Sequence, residues 1–175
     1  MTRPQTASLR QRATAALEQH LGSERVARVT YGAIVGMALI VVLQGHPPSA
    51  AVVAATLVST ALAVALAELY SEVIGHQTTT RRHVERHHLR RLTAEVLAVA
   101  FGVAFPCVFF IAAAAGAIEL GTAFRLAKWS GLGLIGFYGF CAARLAGDGY
   151  ASALLQAGAV MAIGAVLIAF KAVVH

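Results

Sequence analysis

The sequence predicts an all-α integral membrane protein, a polytopic bundle of five transmembrane helices with its N-terminus in the cytoplasm. Three observations carry that reading. The 175-residue chain is 58% hydrophobic and only 13% charged, where a soluble domain is roughly 45–50% apolar and about 25% charged. Five apolar runs are each near the ~20 residues that a spanning helix needs. Finally, ten of the fourteen Lys and Arg residues fall into two short blocks, Arg3 to Arg28 and Arg81 to Arg91. Basic blocks flanking apolar runs are what membrane orientation requires. The net charge of +6 therefore points to a lipid bilayer as partner and not to nucleic acid.

The runs are 26–44, 49–74, 92–118, 127–145 and 151–173, together forming a membrane domain over 26–175. Gly45-His46-Pro47-Pro48 makes the first turn, with Pro48 just ahead of the second helix. Pro106 lies near the middle of the third run, where it removes a backbone hydrogen bond and kinks the span. The fourth and fifth runs are joined by Ala146-Gly147-Asp148-Gly149-Tyr150, a tight turn between antiparallel neighbours in which glycine supplies backbone freedom. With the N-terminus inside, the cytoplasmic side collects five basic residues in the tail, five in the 75–91 loop and Arg144. Only Arg125, Lys128 and Lys171 fall on the other side. Arg125 and Lys128 make the fourth span the weakest of the five.

Residues 1–25 form a cytoplasmic segment without the apolar core of a signal peptide. Within it, Leu9, Ala13, Ala16, Leu17 and Leu21 recur at helical spacing. The pattern suits either an amphipathic helix lying on the cytoplasmic leaflet or a partly helical tail. Cys107 and Cys141 sit in apolar runs with no CxxC partner and read as small buried residues.

Helices in lipid associate through close packing of small residues. Gly32-x3-Gly36 in the first span and Gly158, Ala162 and Ala165 in the fifth are the stripes to watch. Each fits an intramolecular contact or a homodimer seam. Gln156, one turn into the fifth helix, is expected to hydrogen-bond a neighbouring helix.

The stretch with chemistry runs from Ala67 to Gln77. Glu68, Glu72 and His76 are four residues apart and share a helical face. Glu95 enters the third span from the same cytoplasmic end, so an antiparallel hairpin brings three carboxylates and an imidazole to one boundary. Glu68 lies roughly 30 Å along its helix from Pro48 at about 1.5 Å per residue, which is the full hydrocarbon thickness. Two readings follow. The carboxylates are bonded to loop arginines such as Arg90 and Arg91, or they line a cation or proton path. The loop adds His83, His87 and His88, and imidazole with carboxylate suits a divalent metal such as Fe, Mn or Zn. The five arginines of the same segment oppose cation binding and favour anionic lipid. No nucleophile–base pair or phosphate loop is present, so an enzyme is the least supported class.

The Ala63–Glu68 run and the Glu68-x2-Ser71 pair, on a five-span plan, distantly resemble the vacuolar iron transporter family. That resemblance implies a five-helix, N-in fold, a homodimer and a cytoplasmic-side metal path through Glu68. The expected location of the chain is a prokaryotic cell membrane, as a multi-pass protein. The family's first-helix Asp-Gly is Tyr31-Gly32 here, and the second helix has no methionine.

Overall fold

The computed structural model describes residues 23–80 and 86–174. The amphipathic pattern of 8–21 and His83 lie outside the described residues. The described chain is all helix: α1 (Ser23–Leu43), α2 (Ala50–Thr80), α3 (Arg86–Ala104), α4 (Cys107–Ala114), α5 (Leu120–Leu145) and α6 (Tyr150–Val174).

Pro106 breaks the third apolar run as expected. It has no N–H to give to the carbonyl of Gly102, so α3 stops at Ala104 and α4 restarts at Cys107, bent by 48°. The bend seats Phe110 against Phe124 of α5, ring centroids 4.9 Å apart. It also lets the buried Cys107 thiol donate to the Ala54 carbonyl of α2 at 3.6 Å. Two helices end on glycines in the left-handed region, Gly116 at φ 76° and Gly147 at φ 91°. In both, the following N–H reaches back five residues, Ala117 to Ala112 and Asp148 to Ala143. This is the Schellman closure, which satisfies carbonyls the helix leaves open.

Two expected boundaries move. The second helix does not stop at Ile74 but runs to Thr80, so much of the 75–91 segment is helical at both ends and not a loop. The polar residues there end the hydropathy signal without breaking the backbone ladder, and the Thr78 hydroxyl bonds the Ile74 carbonyl at 3.0 Å instead of interrupting it. Similarly α5 starts at Leu120, with Glu119 in extended conformation before it, so Arg125 and Lys128 lie within the helix.

Helix α1 is the centre of the bundle, packed between α3 on one side and α5 and α6 on another, while α2 lies outside α3 and α4. The α1–α3 contact is built on glycine. A Cβ at Gly32 would collide with the Val99 carbonyl oxygen, one at Gly36 would sit 2.9 Å from that of Val103, and one at Gly102 would strike Val29 O. The backbones therefore touch, a closeness that small residues alone permit. On the other side of α1, buried Met37 fills the space left by Gly131 and Gly164.

By length and composition α1 and α2 are each able to cross a membrane, and the bent α3–α4 pair makes a third crossing if taken as one span. Helix α5 is 26 residues long but diluted by glycine and by Arg125, Lys128 and Arg144. Helix α6 is apolar over Tyr150–Val166. The outward faces are apolar too: Leu62, Leu66, Tyr70 and Ile74 form an exposed stripe on α2. An exposed apolar surface of this extent is characteristic of a face turned to lipid or to another protein.

Candidate functional site

One end of the bundle gathers the start of α1, the end of α2 and the start of α3. The α1–α3 pair is parallel, and the same spacing that sets Gly32 against Val99 and Gly36 against Val103 sets Arg28 against Glu95. Along α2, Glu68 and Glu72 face the same point. Three carboxylates thus meet one guanidinium. Arg28 Nη1 donates to Glu68 Oε2 at 2.9 Å and Nη2 to Glu72 Oε1 at 2.6 Å, while Nη2 lies 3.0 Å from Glu95 Oε2.

Burial is graded across the cluster. The Glu95 side chain is 9% exposed, that of Arg28 19%, Glu68 28% and Glu72 39%. The cluster therefore opens from Glu95, wedged between helices, toward Glu72 at the rim. The planar guanidinium is suited to this task because its forked donors serve several carboxylate oxygens at once, which a lysine ammonium does not do with fixed geometry. With all three carboxylates ionised, one positive charge faces three negative ones.

The structure thus brings together Glu68, Glu72 and Glu95. Among the described side chains the partner they share is Arg28; the side chains of Arg90 and Arg91, which sequence reasoning put forward, lie outside the described residues. Sequence reading grouped Arg28 with the basic tail. A usable signal was present: Arg28, Gly32 and Gly36 are spaced by four, so Arg28 shares the face that packs on α3. His76 lies one turn beyond Glu72, half-buried and itself engaged by a neighbour. His87 falls in the first turn of α3. Among the described residues, no three His, Cys, Asp or Glu side chains are placed to share a metal ion.

The two small-residue stripes part company. Gly32 and Gly36 are buried in the α1–α3 contact. By contrast, Gly158 has nothing within 4 Å of a built Cβ, and Ala162 and Ala165 are exposed beside it, so this stripe does not pack against the described residues. Gln156 is exposed and has no hydrogen-bond partner among the described residues, contrary to expectation.

Fold and site together define, over the described residues, an all-helical bundle with two or three helices long and apolar enough to cross a membrane and a charged cluster at one end. The chain matches no family model, no curated protein and no solved structure.

Proposed function

We propose that the protein is a five-span, N-in, multi-pass protein of a prokaryotic cell membrane that handles a cation at its cytoplasmic end. In this reading it is a transporter or sensor of a divalent cation, or a proton-coupled one. Glu68, Glu72 and Glu95 are the carboxylate site, and Arg28 is its tethered counter-cation. The observation that carries the reading is the convergence: Glu68 and Glu72 of one helix and Glu95 of another meet at the Arg28 guanidinium of a third. Acidic groups turned into a helix bundle are the usual makings of an ion or proton path.

The opening gradient gives the order of events. A cation arriving from the cytoplasm meets Glu72 first, then Glu68, and reaches Glu95 only when the guanidinium gives way. Fe, Mn or Zn as cargo suits carboxylate oxygens with His76 as an accessory ligand. His83 and His87 would extend that set into the segment between α2 and α3. The distant resemblance to vacuolar iron transporters, which rests on Ala63–Glu68 and Ser71, supports the same direction. The bilayer is the standing partner. The outward Gly158, Ala162 and Ala165 stripe is the face offered to a second copy in a homodimer.

The test is flux in liposomes. Wild-type protein is expected to move Fe(II), Mn(II) or Zn(II) into vesicles, and Glu68→Ala/Glu72→Ala to abolish most of that flux. No flux from wild type, or flux that the double substitution leaves intact, would sink the reading.

A second reading has its own observation. Each carboxylate is already bonded to Arg28, which is how a non-transporting membrane protein would lock three helices together. In that case the same substitutions lower thermal stability in detergent while wild-type vesicles show no flux.

A further inference from the structure

On the opposite face of α1 from Arg28, at the same end of the bundle, a groove of about 580 Å³ opens between α1, α5 and α6. Its volume lies within the ~300–1,000 Å³ typical of ligand sites. The walls are apolar, with Ile34, Ala142 and Val160 among them, and three polar side chains interrupt them: Thr30, Tyr31 and Gln156. From Val26 to Ile34 the groove descends about 12 Å along α1 at about 1.5 Å per residue.

The polar groups decide the class of occupant. Gln156 carries two N–H donors and a carbonyl, in a stretch of helix otherwise apolar from Ala153 to Phe170, and has no partner among the described residues. In hydrocarbon an amide without a hydrogen bond costs several kcal/mol, so an occupant made only of hydrocarbon leaves Gln156 unsatisfied. A molecule is required that offers hydrogen-bond acceptors at this depth and an apolar chain beyond. At the mouth, next to the groove residues Leu145 and Ala146, Arg144 is held over the Tyr150 ring at 4.0 Å and against the Asp148 carbonyl at 2.6 Å. It adds a fixed positive charge where the groove meets the interface.

We infer that this groove is a phospholipid site for the cytoplasmic leaflet. One acyl chain lies along Ile34, Ala142 and Val160, the ester carbonyls accept from Gln156 and the hydroxyls of Thr30 and Tyr31, and the phosphate meets Arg144. The inference rests on the five-span reading, because α5 and α6 must lie in the bilayer for lipid to enter between them.

The experiment uses full-length protein in phosphatidylglycerol/phosphatidylcholine vesicles that carry a phospholipid with a photoreactive diazirine on one acyl chain. Cross-linked peptides are mapped by mass spectrometry, and Leu154 and Leu155, on the outward face of α6, serve as the control for bulk lipid. Labelling at Ile34, Ala142 and Val160 is expected to exceed that control about threefold, the scale of one hydrogen bond's worth of preference. Gln156→Leu is expected to bring it down to the control, and Ile34→Trp to exclude the chain sterically. Gln156 is exposed, so its substitution keeps the test decisive if the tryptophan variant does not fold. Groove labelling equal to the control, or unchanged in Gln156→Leu, overturns the lipid site. If Leu154 and Leu155 are themselves unlabelled, the membrane placement of α6 has failed, which separates that outcome from failure of the groove.

Discussion

Arg28 and Glu95 stand 3.0 Å apart at the head of a parallel helix pair whose next two contacts are glycine against backbone. The charge contact and the glycine contacts belong to one helix face, so the position of Arg28 is fixed by Gly32 and Gly36. A guanidinium placed by such close packing has little freedom to leave its carboxylates unless α1 and α3 shift relative to one another. This couples the charge state of the site to helix packing. An ion that competes with Arg28 acts on the contact at the centre of the bundle.

Substitutions in the cluster are expected to rank by burial. Arg28→Gln leaves three carboxylates facing one another, one of them wedged between helices, and removing one partner of a buried pair costs about 3–5 kcal/mol. The half-open rim reduces that figure here, since exposed pairs are worth about 0–1 kcal/mol. Glu95→Gln should cost less than Arg28→Gln, because two carboxylates still satisfy the arginine, and Glu72→Gln least of all. Thermal melting of the detergent-solubilised variants measures the order. Equal melting temperatures for Arg28→Gln and wild type would show that the cluster does not hold the helices.

The two glycine stripes should respond in opposite ways. Gly102→Ala places a Cβ 2.7 Å from the Ala33 nitrogen and 2.9 Å from the Gly32 carbonyl carbon, backbone atoms with no rotamer to yield. Helix separation then costs at least the ~1–3 kcal/mol of ordinary overpacking. Gly158→Ala meets nothing within 4 Å, and in a helix it gains about 0.4–1 kcal/mol from a less flexible unfolded chain. Melting temperatures should fall for the first and hold or rise for the second. If Gly158 lies in a homodimer seam, Gly158→Leu with Ala162→Leu should instead lower the mass measured by light scattering from dimer to monomer, with the helical content unchanged.

The parts of this fold that hydropathy and chain chemistry control directly were legible. The runs of α1 and α2, the break at Pro106 and the glycine turn at Gly147 each follow from a local rule that no tertiary contact overrides. Helix ends were not legible where polar residues continue a helix. Glu72, His76, Gln77 and Thr78 end an apolar run, but nothing in them breaks backbone hydrogen bonding, so α2 continues. Gly121, Thr122 and Arg125 concealed the start of α5 in the same way. Glu68 and Glu72 were found because their spacing is a property of one helix, and Glu95 because an antiparallel hairpin brings the start of the next run to the same end. Their partner was missed because Arg28 belongs to a different helix, and charge counting assigns it to the tail. The direction of the Gly158 stripe was beyond reach for a related reason: periodicity defines a face but not what the face meets.

A cavity at Phe110 should show how much the bent segment depends on its aromatic contact. The side chain is fully buried and packs edge to face on Phe124. In soluble cores Phe→Ala costs about 3–5 kcal/mol. In lipid the transfer component is nearly absent, because acyl chains are as apolar as the core. What remains is lost dispersion and the empty volume, so Phe110→Ala should cost about half the soluble value. Phe110→Leu should recover most of it. A full 5 kcal/mol loss, measured by reversible denaturation in mixed micelles, would argue that α4 and α5 are packed in water.

Topology can be read chemically at the turns. Exposed His46 and Glu119 lie at the end of the bundle away from Arg28, and Asp148 at the same end as the cluster. After Cys107 and Cys141 are replaced by alanine, a single cysteine is introduced at His46, Glu119 or Asp148. Intact cells or right-side-out vesicles are then treated with a membrane-impermeant maleimide. Five spans with the N-terminus inside require His46→Cys and Glu119→Cys to react from outside, and Asp148→Cys to react only after permeabilisation. The two outside positions flank the α2–α3–α4 passage, so their agreement tests whether the bent pair crosses as one span. Asp148 tests α5 separately, since Arg125 and Lys128 near its start then lie by the outer interface. Reaction of Asp148→Cys in intact vesicles, with His46→Cys and Glu119→Cys also reactive, would remove α5 as a span and leave the chain with four crossings and its C-terminus inside.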